Sequence, residues 1–394
     1  MKVLVYTHEF PPFLGGLATT SLKLVKGLSH GKNSLIAVVP GYGPDQEKID
    51  RELDCEIKRV PLLGRSYIRS IPFLQQIIGF FFLSYHIVMN KPDVVLFITE
   101  EAESVGGLVS KFIQFRSVVR VAGSGILTCF HGRGFTKRVL KYPMSTLYEK
   151  SERVIAVSNY TRSLLEGIDV DTKKIRVIYN GVKSSFLENP VNTEKVKLLR
   201  NKYGISDDDS VMVTIARVLP RKGQDHVIRS LPGVLREVPN LKYLVVGEGK
   251  YRQDFEKLAE SLGVGNHVVF TGGVENSSVI DYLDLSDLFI MPNRAWNNKV
   301  EGLPNAIIEA SARGKAVIAG NHSGSVEAVL HGKTGFLVDS TKPEKIGEAI
   351  TGILSDKKKL VKFGENGREL IRSNFQEDIM IQNYIALLEE VAGL

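Results

Sequence analysis

VMVTIARVLPRKGQD, residues 211–225, sets an apolar, β-branched run directly against a loop holding cations and a glycine. The run is short and apolar at nearly every position, the pattern of a strand covered on both faces in a parallel sheet. A helical pattern begins just after Gly223, so the stretch reads as one strand–loop–helix unit. Arg217 closes the strand and Lys222 follows five residues on. Two cations at a strand's carboxyl end, beside a helix N-terminus, suit a diphosphate. Cations at strand ends also serve as solvated caps.

The same alternation extends both ways from this unit. KVLVYTHE, SLIAVVPG, VVLFITE, RVIAVSN and IRVIYNG precede it, and LKYLVVGEG, HVVFTGG, DLFIMPN, KAVIAG and GFLVD follow, with helical patterns between. Continuous apolar strands separated by helices imply doubly wound α/β sheets. A chain of 394 residues suggests two such domains. The strand pattern lapses at VKSSFLENPVNTEKV, 182–196, which places the domains at 1–185 and 186–375, with 376–394 a helix crossing back to the first. Two Rossmann-like halves in tandem would face each other across a central cleft, the natural ligand site. Gly31 is expected to close the first helix, and the helical patterns from Pro343 onward to pack back over the joint.

Composition narrows the class. The chain is 43% hydrophobic and 24% charged, as in soluble globular proteins. Cys55 and Cys129 lie far apart, which excludes a disulfide scaffold and fits a reducing cytosol. MKVLVYTHEF enters a strand with no signal-peptide pattern, so a cytoplasmic location is expected. Residues 1–185 carry 25 Lys and Arg against 16 Asp and Glu, while the remainder is slightly acidic. That asymmetry suggests an anionic partner for the first domain, a phospholipid surface or a phosphorylated acceptor, or simply a basic surface. No basic helix or aromatic-basic sheet motif points to nucleic acid. IPFLQQIIGFFFLSYHIVMNKP, 71–92, is nearly long enough to span a bilayer, but Gln75, Gln76, Gly79 and His86 interrupt it. It reads as a buried helix or, with Arg59, Arg65 and Arg69 nearby, as one lying on the inner face of the cytoplasmic membrane.

Three further constellations could carry chemistry. In HEFPPFLGGLATTSLKL, 8–24, Gly15 and Gly16 stand where strand meets helix, and their amides can approach an anion closely. In VEGLPNAIIEA, 300–310, Glu301 lies in a loop ahead of a helix begun by Pro304, with Glu309 about 8 Å further along its axis. The amides near Leu303, Asn305 and Ala306 would point at a ligand whose hydroxyls the two acids grip. In CFHGRGF, 129–135, His131 stands on a strand-terminal loop where it could donate to a substrate hydroxyl. A lone histidine, a glycine pair or a glutamate pair has an ordinary structural reading as well. The D-x-D of Asp169 and Asp171 reads as a turn, and no metal site is expected.

HEFPPFLGGL, HGRGF, VIAVSNYTR, IYNGV, ARVLPRKGQD, VVGEG, VEGLPNAIIEA and GSVEAVLHGKTGFLV occur in that order. The series resembles the retaining GT-B glycosyltransferases of family 4, most closely the phosphatidylinositol mannosyltransferase branch, over essentially the whole chain. The resemblance implies a GT-B fold and a hexosyltransferase that moves a sugar from a nucleotide-sugar, GDP-mannose or a UDP-sugar, to an acceptor hydroxyl in envelope lipid or polysaccharide synthesis. It implies no metal and no cofactor beyond that donor. By position, Glu309 would hold the ribose, and Arg217 with Lys222 the diphosphate. Glu301 and the amides of Gly302, Leu303 and Asn305 would hold the sugar. Gly16, beside Gly15, would approach the β-phosphate, and His131 would lie against the sugar. Val274 would offer its backbone to the base in a pocket shaped by Gly247 and Gly249. The acceptor, lipid-linked on this reading, would use loops at 60–75 and 124–142. NRAWNNK, 293–299, departs from the glycine-rich loop of the nearest relatives. The rival readings are a GT-B-fold epimerase or phosphorylase and a non-catalytic nucleotide-sugar-binding subunit.

Overall fold

The computed structural model describes the chain except for residues 14, 31–32, 44–45, 66–67, 69–70 and 133 and the side chains of 124, 136 and 137. Gly31 and Arg69 therefore lie outside the described residues. Two compact units result, one of residues 1–180 with 377–394 and the other of 181–376. The division falls at Asn180 and Gly181, ahead of the lapse in strand pattern that suggested 185, because β7 already ends at Val177.

The first unit holds a parallel seven-stranded sheet, order β3-β2-β1-β4-β5-β6-β7. Its strands are β1 (Lys2–Tyr6), β2 (Ser34–Pro40), β3 (Glu56–Val60), β4 (Val94–Phe97), β5 (Ser117–Val121), β6 (Arg153–Ala156) and β7 (Ile175–Val177). Successive side chains of a strand point to opposite faces, and β1 shows the result. Val3 and Val5 join Leu24, Leu28, Met380, Tyr384 and Leu388 in one core. Leu4 and Tyr6 join Leu83, Val105, Met144 and Tyr148 in the other. The helix Glu377–Ala392 thus supplies part of the core on one face of this sheet. The helices Pro343–Leu354 and Lys357–Asn374 do not return with it. Ile346, Ile350, Ile353 and Phe363 bury their apolar stripes in the core of the second unit, which corrects the expectation that everything after Pro343 packs over the joint.

The second unit repeats the scheme with a parallel six-stranded sheet, order β10-β9-β8-β11-β12-β13. Here β8 is Ser210–Ile215, β9 Leu241–Val246, β10 Val268–Gly272, β11 Leu288–Met291, β12 Ala316–Gly320 and β13 Gly335–Val338. In each sheet the winding direction reverses once, between β1 and β4 and between β8 and β11. A crevice opens beyond the strands' carboxyl ends at such a reversal, which is where open α/β sheets bind ligands.

Buried polar side chains fasten the first unit. Arg120, on β5, is 1% exposed and donates from Nη2 to Asn180 Oδ1 at 2.8 Å. Tyr384 of the returning helix also bonds to it, and burial pushes that hydroxyl up to about 12. One guanidinium therefore touches the chain where it leaves the unit and again after it re-enters. Nearby, Tyr148 Oη donates to Glu103 Oε2 at 2.5 Å. Burial pushes the Glu103 carboxyl up to about 8, with Glu100 and Glu101 adding to the rise and the Tyr148 bond and Arg120 opposing it. A carboxyl raised in the folded state contributes stability that is whole below its unfolded value and lost as pH rises through the folded one. The melting temperature should therefore fall between about pH 4.5 and 8, and by less in Glu103→Gln, which keeps an acceptor for Tyr148 without titrating. An equal fall in both proteins would contradict this account.

Candidate active site

The reversal between β8 and β11 gathers most of the expected residues. Arg217 lies two residues past β8, exposed, with its carbonyl accepting from Gln224 Nε2 at 3.0 Å. A single 3-10 turn, Pro220–Lys222, follows and ends at Gly223, whose φ of 84° and contact with Pro292 leave no room for a side chain. A Cβ there would stand 2.2 Å from the Pro292 carbonyl oxygen. This turn aims Lys222 at the segment after β11. Lys222 Nζ lies 3.0 Å from Glu301 Oε1, and Arg221 Nε 3.1 Å from the same oxygen.

The ion triad changes how these groups behave. Burial draws the Lys222 ammonium below its ordinary value, and Arg221 and Arg217 add to that while Glu301 opposes it. Burial works against ionisation of Glu301 as well, yet Lys222, Arg221 and Arg217 outweigh it and hold that carboxyl below the usual range. Glu301 is therefore ionised at neutral pH. Three cations around one carboxylate leave a net positive charge, which a phosphate chain can complete. Arg221 was not singled out from sequence. It is buried, bonds Val300 O from Nη1 at 3.2 Å, and its own carbonyl receives the Arg294 N–H at 2.9 Å.

The helix Asn305–Ala312 starts directly after this loop, with Pro304 as its cap rather than its first residue. Asn305 and Glu309, four residues apart, share one face of it, and Glu309 is half-buried. Gly302 and Leu303 are buried, and Gly324 fits against them with no room for a Cβ. Asn293 fixes this packing from beneath: it donates to Ser323 Oγ at 3.0 Å, and its Oδ1 and carbonyl accept from Ser325 and Ser340. Gly247 follows β9 at φ 141°, paired with Gly272 at the end of β10, and Val274 lies half-buried two residues further on. A Cβ on Gly249 would meet the Val218 carbonyl at 2.2 Å. All these positions border the carboxyl edge of the second sheet.

Gly15, Gly16 and His131 belong to the first unit. Gly15 caps the helix Gly16–Ser29 at the reversal between β1 and β4, and its carbonyl accepts from Thr19. His8, which sequence reading passed over, bridges the same reversal. Its N–H donates to Thr99 Oγ1 at 3.0 Å, and Tyr6 Oη, kept protonated by burial, reaches His8 Nε2 at 2.8 Å. His131 is exposed and caps the helix Ser124–Phe130. Asp169 and Asp171 lie in the turn leading into β7, at the opposite edge of that sheet. Among the described residues, no group of His, Cys, Asp and Glu could hold a metal ion.

A doubly wound pair of parallel sheets with this order is the GT-B architecture. Solved structures match it over nearly their whole length. They include a sucrose-phosphate synthase from Thermosynechococcus elongatus (TM-score 0.83, 17% identity, 100% of this chain and 99% of that one). Another is Anabaena Alr3699/HepE in complex with UDP-glucose (TM-score 0.79, 20% identity, 99% and 100%). Residues 14–186 match the model for Glycosyltransferase Family 4, and residues 195–370 that for Glycosyl transferases group 1. A GDP-mannose-dependent alpha-(1-6)-phosphatidylinositol monomannoside mannosyltransferase of Mycobacterium tuberculosis is 34% identical over 96% of each chain. A Corynebacterium glutamicum enzyme that acts on the monoacylated monomannoside is 26% identical over 98% of each. The chain belongs to the family 4 glycosyltransferases and is a hexosyltransferase with a nucleotide-sugar donor.

Proposed function

We propose that the protein transfers a hexosyl unit, mannose from GDP-mannose in the first instance, to a hydroxyl of a membrane glycolipid with retention at the anomeric carbon. The observation that carries the reading is the Lys222–Glu301–Arg221 triad beside Arg217 at the second sheet's reversal. Arg217 and Lys222 would take the diphosphate and balance the charge that develops as it leaves, so the reaction has no need of a metal. Glu309 would grip the ribose, Glu301 and the amides of Gly302, Leu303 and Asn305 the sugar. Gly247 and Val274 would border the base. Gly15 and Gly16 would approach the β-phosphate, and His131 the transferred ring. Incubation with GDP-mannose or UDP-glucose and phosphatidylinositol mannoside, with products resolved by NMR, tests this. Release or isomerisation of the sugar without an acceptor product would defeat it.

Membrane contact is part of the same proposal. The helix Leu74–Asn90 buries Gly79, Leu83 and His86 but turns Ile77, Phe81, Tyr85 and Met89 outward, one stripe at helical spacing. Phe81 is 66% exposed and Phe112, edge-on to Phe80, 76%. Lys111 stands over Tyr142, 3.8 Å from the ring centroid, and Arg138 and Lys141 are exposed on the same helix as Tyr142, Phe135–Lys150. An apolar stripe with a cationic rim fits an anionic lipid surface at the inner face of the cytoplasmic membrane. No helix among the described residues is long and apolar enough to cross a membrane. The protein should float with vesicles containing phosphatidylglycerol, and Phe81→Glu should reduce the bound fraction several-fold. Equal flotation of both proteins would rule the stripe out.

A further inference from the structure

The loop after β11 holds a feature that the proposed chemistry leaves unused. Trp296 and Lys299 exchange two backbone hydrogen bonds of 3.0 Å across Asn297 and Asn298, whose φ angles are 50° and 57°. That is a two-residue hairpin turn of the tightest kind, and asparagine tolerates its left-handed backbone. The hairpin is anchored at its base. Arg294 clamps Asp225 with bonds of 2.9 and 2.6 Å, its guanidinium lies 5.7 Å from the indole centroid, and its N–H is fixed to the Arg221 carbonyl. Arg221 in turn holds Glu301. Core packing at this point comes from Val300, at 2% exposure, whereas Trp296 is 39% exposed. A large aromatic ring is thus held rigidly in the open at the ligand-binding edge of the sheet, tied through two arginines to the acid assigned to the sugar.

We propose that Trp296 is a stacking platform for a pyranose ring, deepening the glycosyltransferase reading on which it rests. The axial C–H groups of a hexose form an apolar, weakly positive face that complements the negative face of an indole. The ring in question is either the donor hexose or a sugar of the acceptor, and Trp296 contributes to choosing it. Arg294 and Asp225 act as positioning residues beneath it.

Trp296 is the single tryptophan of the chain, so its emission reports on this position alone. Full-length protein is titrated with GDP, UDP, GDP-mannose and UDP-glucose. It is then titrated with methyl α-D-mannopyranoside in the presence of saturating GDP, and calorimetry follows binding in parallel. If the donor hexose stacks, a nucleotide-sugar shifts the emission and the free diphosphate does not. If the acceptor sugar stacks, the methyl glycoside shifts it. Trp296→Ala should lower kcat/KM roughly tenfold while leaving affinity for the free diphosphate unchanged, and Trp296→Phe should restore most of the loss. Emission that ignores both sugars while calorimetry shows a nucleotide-sugar bound, or an alanine variant within twofold of wild type, overturns the proposal. Calorimetry that detects no binding of either nucleotide-sugar removes the proposed donors, and this proposal with them.

Discussion

Lys222→Ala is expected to lower hexosyl transfer by at least ~10³-fold with the fold retained, the scale of losing one preorganised charge from a leaving-group site. The ammonium sits 3.0 Å from Glu301 in a buried setting, so its removal has two consequences. The diphosphate loses a cation, and Glu301 keeps Arg221 as its remaining close partner, with its carboxyl rising as Lys222 no longer holds it down. Circular dichroism and a melting curve should show an intact protein, because Arg221 still satisfies the acid. Calorimetry should show weakened diphosphate binding. Turnover within tenfold of wild type would remove Lys222 from the reaction. The double variant Lys222→Ala, Glu301→Gln separates charge from geometry: it should be no more active than the single variant, yet no less stable.

Gly324→Ala should be nearly as damaging to activity by a different route. A Cβ built on Gly324 meets the Gly302 carbonyl oxygen at 1.7 Å and the Leu303 Cα at 3.1 Å. Both are backbone atoms, so no rotamer change relieves the clash, and the loop between Glu301 and the helix Asn305–Ala312 must move. Its amides and Glu301 would shift together by about an ångström, enough to cost roughly 100-fold in turnover. A stability loss of about 3 kcal/mol should accompany it. Gly324 has an ordinary helical φ of −64°, so the requirement is for space and not for backbone freedom. An alanine variant with wild-type turnover and melting temperature would show that the loop yields cheaply.

The strands of the second unit were readable because they are covered on both faces and apolar at almost every position. Two strands of the first unit were not. β3, EIKRV, pairs on one side and carries Glu56 and Lys58 together with Arg59, whose largely buried side chain pairs with Asp50, so it lacks the continuous apolar run of a central strand. β5, SVVRV, is buried throughout and contains Arg120, which composition assigns to the surface until Asn180 and Tyr384 are seen to receive it. The site divides in the same way. Arg217, Lys222, Glu301 and Glu309 stand beside strand ends and helix starts that local pattern reveals. Arg221 was eclipsed by its neighbour, since nothing local says that the first cation of the pair turns inward to Glu301. Asn293 and Gly324 act through contacts about 30 and 22 residues away in sequence, with Ser323 and Gly302, and these exist only once the loops are folded.

Because the first unit includes residues 377–394, a segment made after the whole second unit finishes the core of the first. At ordinary elongation rates the 181–376 insertion takes roughly 10–40 s to synthesise. Through that interval Leu24 and Leu28 lack the Met380, Tyr384 and Leu388 that complete their core. Until then that face of the first sheet is left without its covering helix. A chain cut ahead of residue 377 therefore loses part of the core of the unit that begins at residue 1.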